Sequence, residues 1–386
     1  MFLLIKLDKL MIKVLHIIQD INSGGVERRR LSIAKEIKNT EFELKIICIK
    51  AQNQIPNLIQ SHGVEIFELE SYSGPFDFAA HLKVQKIIDA YRPDIIHGAV
   101  FEGVTLAAIN GFIKKVPHIV IEETSDPSYR SWRANLLLKF LGMLSDYAIA
   151  VSIATQKYLT QTISLPPRKI RLIVNGVSPA KKQDAMQLKI LQEKLHISDS
   201  DFIFISVGRM NSDYIKRFSD VIRSFKIVSK KHPNAKLILV GDGVEKEKYI
   251  QLSHDLEIFD RIIFTGYQPN VDQYLAISHV FCLFSAHESF GLAAVEAQMN
   301  RVPVVVTKVG GLQYTVVPNQ TGLVVPPNDL QAASEAMLFA IENPVVMKEM
   351  GEKAFTYVTE NFSEDQYLKT LFNFYREITN SKNVSS

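Results

Sequence analysis

Two glutamates eight positions apart are the residues of this 386-residue chain whose types and spacing most clearly point to chemistry. Glu288 and Glu296 stand where an apolar strand ends and a helix of about 289–299 is expected to begin. Eight residues are a little over two helical turns, so Glu288 would sit at the mouth of a site and Glu296 deeper along nearly the same face. The backbone N–H groups of Phe290, Gly291 and Leu292 would lie at the helix N-terminus. There the open donors and the helix dipole favour an anion such as a diphosphate, and a carboxylate at either end could hold hydroxyls. A helix with a solvated acidic face would explain neither a Glu at the end of a strand nor a helix that is otherwise almost entirely apolar.

Diphosphate chemistry also needs cations. Arg209 and Lys216 follow a strand that ends in Val207-Gly208, and an isolated pair of this kind would read simply as solvated loop residues. Gly24-Gly25 after the first strand predicts a close-approach loop, with the N-terminus of the next helix open to an anion such as a phosphate. Arg28-Arg29-Arg30 follows; a solvated face is the default, and a phosphate-bearing acceptor or a membrane surface is the alternative. A helix over 129–144 carries Tyr129 and Trp132, the only Trp, with Arg130, Arg133 and Lys139 among Leu136, Leu137, Leu138, Phe140 and Leu141. Core packing is the better account of those leucines, and an interfacial basic helix is the alternative. His16, His97 and His118 read as core or cleft histidines, with no pair at metal-ligand spacing. Asp199-Ser200-Asp201 reads as a turn, so no metal and no other cofactor is expected.

These residues need a scaffold, and the sequence spells an α/β one. Short β-branched runs alternate with segments of helical period, which is the pattern of parallel strands joined by crossover helices. Strands are predicted at 12–18, 43–50, 64–69, 94–98, 117–122, 146–151 and 170–174, with helices at 25–38, 78–91, 103–113, 129–144 and 152–161. The pattern then restarts, with strands at 201–207, 236–240, 261–265, 280–284, 302–306 and 322–325 and helices at 216–231, 244–254, 271–277, 289–299 and 329–343. Each half has the length of its own doubly wound sheet. Domains are therefore drawn at 1–178 and 179–362, with a linker near 175–182. Ser363 to Gln366 predicts a capping box for a last helix of about 364–378. Its stripe of Tyr367, Leu368, Leu371, Phe372 and Tyr375 is expected to cross back to the first domain.

Composition excludes several classes. With 47% apolar and 22% charged residues the chain is globular, and a formal charge of +3 lacks the basic surface that nucleic-acid binding needs. The imbalance is uneven, +5 through residue 180 and −2 beyond. Cys48 and Cys282 lie in apolar runs without zinc spacing and read as buried thiols of a reducing compartment. No apolar stretch reaches the roughly 20 residues of a membrane span, and residues 1–10 are too charged for a signal-peptide core, so a cytoplasmic protein is expected.

Several motifs in order then resemble glycosyltransferase family 4, the retaining nucleotide-sugar transferases of GT-B fold, in which two Rossmann-like domains face one another across a cleft. They are the Glu288/Glu296 pair, Val207-Gly208-Arg209 with Lys216-Arg217-Phe218, Val240-Gly241-Asp242-Gly243, Gly266-Tyr267, and Gly310-Gly311 followed by Thr321-Gly322. The resemblance is dense over about 200–330 and looser at Gly24-Gly25-Val26-Glu27, Asp94 to His97 and Asn175-Gly176. It implies that Glu296 holds the donor ribose, and that Glu288 with the amides of Phe290, Gly291 and Leu292 holds the donor sugar. Arg209 and Lys216 would neutralise the departing diphosphate, and Gly208, Gly241, Gly266 and Tyr267 would line the donor site. Gly24, Gly25, His97 and Glu123 would lie toward donor phosphate or acceptor. The implied partners are a nucleotide-sugar donor, most simply UDP-linked, and a glycan or lipid-linked acceptor in surface-polysaccharide or lipopolysaccharide assembly, with peripheral membrane contact. Two departures stand out. Where many members carry a His after the fifth strand, this chain has Ile121-Glu122-Glu123, with Asp126-Pro127 after it, and Gln313-Tyr314 replace the usual Pro-Glu after Gly311. A sugar-nucleotide epimerase or hydrolase of the same fold, or a non-catalytic nucleotide-sugar binder, is the alternative.

Overall fold

The computed structural model describes residues 11–22, 24–124 and 130–382. The chain divides into two compact units, one formed by 1–174 with 367–386 and the other by 175–366. These boundaries fall four residues from those drawn at 178 and 362.

The first unit runs β1 (Ile12–Ile17), β2 (Asp20–Ile21), α1 (Gly25–Ile37), β3 (Phe42–Cys48), β4 (Lys50–Ala51), α2 (Ile55–Ser61), β5 (Glu65–Glu68), α3 (Phe78–Tyr91) and β6 (Ile95–Ala99). It continues with α4 (Val100–Ile113), β7 (His118–Glu123), α5 (Trp132–Leu144), β8 (Tyr147–Ala150), α6 (Ile153–Gln161) and β9 (Ile170–Leu172). Its seven-stranded sheet has the order β5-β3-β1-β6-β7-β8-β9, all parallel, so the winding direction reverses between β1 and β6. In open α/β sheets such a reversal opens a crevice at the strands' carboxyl ends.

The second unit comprises α7 (Ala185–Lys194), β10 (Phe202–Val207), α8 (Asp213–Lys216), α9 (Phe218–Lys231), β11 (Ala235–Val240), α10 (Lys246–Asp255), β12 (Ile262–Gly266) and α11 (Asp272–Ala276). After these come β13 (Val280–Leu283), α12 (Leu292–Met299), β14 (Val304–Thr307), β15 (Gly322–Val325), α13 (Leu330–Glu342) and α14 (Pro344–Phe362). The sheet order is β12-β11-β10-β13-β14-β15, again parallel, with its reversal between β10 and β13. Central strands read as unbroken apolar runs because helices cover both faces.

The last helix, α15 (Glu364–Lys382), starts where Ser363 Oγ accepts a hydrogen bond from the Gln366 N–H at 3.4 Å. From Tyr367 onward it belongs to the first unit. Tyr367, Leu368, Leu371, Phe372 and Tyr375 are all buried there, against Ile33 and Ile37 of α1 and Phe42 of β3. Three helices were not predicted. In α2 and α14 a proline occupies the first turn, where its missing N–H costs nothing, and α7 lies in a polar stretch but is capped by Asp184, which accepts from the Met186 N–H at 2.7 Å. The predicted helix 216–231 is broken instead at Arg217, whose φ of +50° separates α8 from α9. Asp213 stabilises the break by accepting the Ser219 N–H at 3.0 Å and the Tyr249 hydroxyl at 3.1 Å.

Candidate active site

In the second unit the loops after β10, β11, β12, β13 and β14 share the carboxyl edge of the sheet. Lys216 ends α8, the short helix that follows β10, and Glu288 comes from the loop after β13, the two strands that flank the reversal. Their side chains form an ion pair across it, and the Ser285 hydroxyl donates to the same Glu288 oxygen at 3.1 Å. Backbone contacts fix this geometry. The Ala286 N–H donates to the Ile215 carbonyl at 2.9 Å, Gly311 N–H to the Glu288 carbonyl at 2.8 Å, and the Thr307 hydroxyl to the Ser285 carbonyl at 2.5 Å.

The glycines work by close approach. A Cβ at Gly241, where φ is +144°, would lie 1.9 Å from the Gly208 carbonyl oxygen, and one at Gly311 would lie 2.0 Å from that of Ser289. Gly208 itself underlies the Lys216 stem, 3.6 Å from where its Cβ would be. The Gly208 N–H donates to the Val240 carbonyl at 3.0 Å and Gly241 N–H to that of Gly266 at 2.9 Å, so three adjacent loops are stitched edge to edge.

Gly291 caps α12 in the left-handed region, φ +97°. The amides of Phe290, Gly291 and Leu292 donate to no group among the described residues, leaving the N-terminus of α12 open for an anion. Phe290 is buried beneath it, and Glu296 lies half-buried in the second turn of the helix. Arg209 is exposed and makes no ion pair among the described residues, and Tyr267 is exposed at the end of β12. His287, the chain neighbour of Glu288, and Tyr214, two residues before Lys216, bring their rings to 5.8 Å, a contact that sequence reasoning overlooked. The arrangement can hold a polyanion with backbone amides and two cations, and can hold hydroxyls with two carboxylates.

The first unit treats its predicted residues differently. Gly24 caps α1 in extended geometry, φ −83°, and Gly25 opens the helix. His97 is fully buried on β6. Its Nδ1 lies 2.6 Å from the Tyr375 hydroxyl, which also lies 2.9 Å from His16 Nε2. Glu123 is buried and paired with Arg130. Arg29 and Arg30 correct the expectation of a solvated face, because both are buried and both reach Glu122. Arg30 Nη2 lies 2.6 Å from Oε2 and Arg29 Nη2 lies 3.3 Å from Oε1. Burial alone would raise the Glu122 carboxyl, but Arg30, His97 and Arg29 outweigh it and hold it well below the usual range. Burial, with Arg30 adding to it, pushes His16 well below its ordinary value, and burial lowers His97 too. At the reversal of this sheet, Val100 sits at φ +63°, a conformation a β-branched residue avoids, and no sequence signal marked it. Tyr129, Asp126 and Pro127 lie outside the described residues, as do residues 1–10.

Family profiles agree with this geometry. The profile described as Glycosyl transferases group 1 matches residues 189–357, and that described as Glycosyltransferase Family 4 matches residues 23–181. N-acetyl-alpha-D-glucosaminyl L-malate synthase of Bacillus anthracis is 31% identical over 319 residues, 79% of this chain and 80% of that one. The chain belongs to the group 1 glycosyl transferases. Another relative of this glycosyltransferase is the UDP-Gal:alpha-D-GlcNAc-diphosphoundecaprenol alpha-1,3-galactosyltransferase of Escherichia coli, 23% identical over 87% of this chain and 89% of that one. Anabaena HepE, solved in complex with UDP, superposes with a TM-score of 0.82 at 22% identity, covering 95% of this chain and all of the other. That likeness shows the GT-B fold.

Proposed function

We propose that this glycosyltransferase is a retaining enzyme of family 4 that moves a hexosyl group from a UDP-sugar to a glycan or lipid-linked acceptor in surface-polysaccharide assembly. The observation that carries the reading is the Lys216–Glu288 pair beside the open amides of Phe290, Gly291 and Leu292, at the reversal of the second sheet. In this reading Arg209 and Lys216 take the charge that grows on the diphosphate as the bond to the sugar's anomeric carbon breaks. Glu288 holds the sugar hydroxyls and Glu296 the ribose. The acceptor hydroxyl attacks the same face that the diphosphate leaves, and its proton passes to a donor phosphate oxygen. No protein nucleophile and no metal are required. The uridine donor is supported by HepE, solved with UDP, and by the Escherichia coli relative named for UDP-Gal. The same relative, together with a Staphylococcus aureus relative named for capsular polysaccharide biosynthesis, supports the acceptor class.

The test is release of free nucleoside diphosphate from UDP-, GDP- and ADP-sugars, with and without membrane lipid extract. Lipid-stimulated release from a UDP-sugar is expected, with kcat falling about 10²–10³-fold in Lys216→Ala. Release that needs no acceptor would favour a hydrolase or epimerase. Donor binding without release would favour a non-catalytic binder.

A further inference from the structure

The side chain and the backbone of Phe362, the last residue of α14, meet different parts of the second unit. Its buried ring meets that of Phe290 edge to face, with centroids 5.4 Å apart and planes at 84°. Phe290 immediately precedes Gly291, the left-handed cap of α12, and carries the first of the three open amides. Burial alone would be met by a large aliphatic side chain. The ring adds orientation, because an edge-to-face pair fixes the tilt of Phe290 and hence of the backbone that bears it. The Tyr357 ring packs on Phe362 in the same way, at 5.6 Å and 84°, and the Tyr357 hydroxyl donates to the Tyr314 carbonyl at 3.2 Å. Tyr314 ends a helical turn, Leu312–Tyr314, that starts directly after Gly311, whose N–H is bound to Glu288. The segments 288–292 and 310–314, which together shape the anion site, are thus both braced from the end of α14. That helix is itself anchored, since a Cβ at Gly351 would lie 2.2 Å from the Arg301 carbonyl oxygen, just past the end of α12.

The Phe362 carbonyl accepts the Val177 N–H at 2.9 Å, and the Val177 carbonyl accepts the Glu364 N–H at 2.9 Å, so Val177 and Ser363 form a parallel bridge. The second unit begins at Asn175 and ends at Gln366, and the bridge ties together the two stretches by which the chain enters and leaves it. Phe362 joins that bridge to the ring beneath the open amides.

We propose that Phe362 is a positioning residue of the donor site. Through the Phe290 ring it holds the amides of Phe290, Gly291 and Leu292 in place for a phosphate group, and the Val177 bridge holds Phe362 in turn. That the phosphate belongs to a nucleoside diphosphate rests on the function proposed above. Donors fixed before the ligand arrives bind it more tightly, because no ordering remains to be done. The full-length wild type is compared with Phe362→Leu, which keeps the apolar filling and loses the ring, and with Phe362→Tyr, which keeps the ring. By calorimetry Phe362→Leu should weaken UDP about 5–10-fold, the factor that one edge-to-face pair carries, and should leave uridine within about 2-fold. Phe362→Tyr should restore UDP binding. Equal weakening of UDP and uridine, a Leu variant that binds UDP like the wild type, or a Tyr variant as weak as Leu would overturn the proposal. A second arm uses no nucleotide. The Gly311 and Ala294 amides donate to the Glu288 and Gly291 carbonyls at 2.8 and 3.0 Å. Their hydrogen exchange should quicken at least ~5-fold in Phe362→Leu, while the β10 and β11 amides keep their rates. Unchanged exchange at Gly311 and Ala294 would overturn the proposal without reference to any ligand. If the wild type binds no UDP while this local quickening is seen, the donor reading falls and the hold of Phe362 on the amides stands.

Discussion

Replacing Glu122 by Gln tests whether the buried charges of the first unit are coupled as their distances imply. Glu122 is 2% exposed and faces two guanidiniums, Arg30 at 2.6 Å and Arg29 at 3.3 Å, themselves almost wholly buried. With charge centres roughly 4 Å apart, each contact is worth about 4 kcal/mol at an effective dielectric of ~20. The amide keeps the shape and one acceptor but leaves two buried cations unopposed. The expected net loss is about 3–5 kcal/mol, the range for breaking a buried pair from one side. The assay is hydrogen exchange of the β7 and α1 amides in the full-length protein, together with thermal unfolding, where Tm should fall by roughly 10 °C. The triple variant Arg29→Met/Arg30→Met/Glu122→Leu should recover most of that loss, because it removes the desolvated charges together.

The pH dependence gives an independent arm. Glu122 has a depressed folded value, so its contribution is complete above the unfolded carboxylate range near ~4.3 and is lost as pH falls below it. His16 and His97 are also depressed, so above pH ~6.5 they are neutral in both states and contribute no slope. Below that pH the unfolded chain binds protons that the folded one refuses. Stability should therefore fall between pH ~6.5 and ~5 by up to about 1.4 kcal/mol per pH unit for each histidine. Glu122 is ionised in both states over that window, so His16→Gln/His97→Gln should flatten the slope while Glu122→Gln should not. A Glu122→Gln loss below about 1 kcal/mol, or a slope that survives the double His variant, would refute the coupling.

Two further outcomes follow from the packing. Gly241→Ala would drive a Cβ into the Gly208 carbonyl, so Tm should drop by several degrees and donor binding by calorimetry should weaken at least ~10-fold; a variant within about 1 °C of wild type would show that these loops yield. Cys48 is pushed up to about 12 by burial, and burial raises Cys282 as well, so at pH 8 a thiol reagent should label the native protein no faster than it opens. Rapid stoichiometric labelling would contradict the buried positions of both.

The alternation of β-branched runs with helical segments in the sequence was enough to determine two parallel α/β sheets, because a strand covered on both faces must be apolar throughout. The run around Glu288 and Glu296 was enough to mark where a strand hands over to a helix. The apolar stripe of the last helix, through Tyr375, was legible because its period is local. What the sequence could not carry was partnership between distant segments. Arg29 and Arg30 read as solvated because two adjacent arginines on a helix usually are, and their partner Glu122 is more than 90 residues away. The Tyr375 hydroxyl meets His97 from 278 residues away, and only the docking of α15 in the first unit, over the neighbouring strands β1 and β6, brings them together. Lys216 was expected to open a long helix, but Asp213, by capping Ser219, breaks that helix and leaves the Lys216 side chain on Glu288. The division of the α5 leucines into a buried face and an exposed one was likewise decided by what lies beneath the helix. Period and propensity are properties of neighbours in the chain, whereas the burial of a charge is decided by which side chains the folded unit brings to meet it.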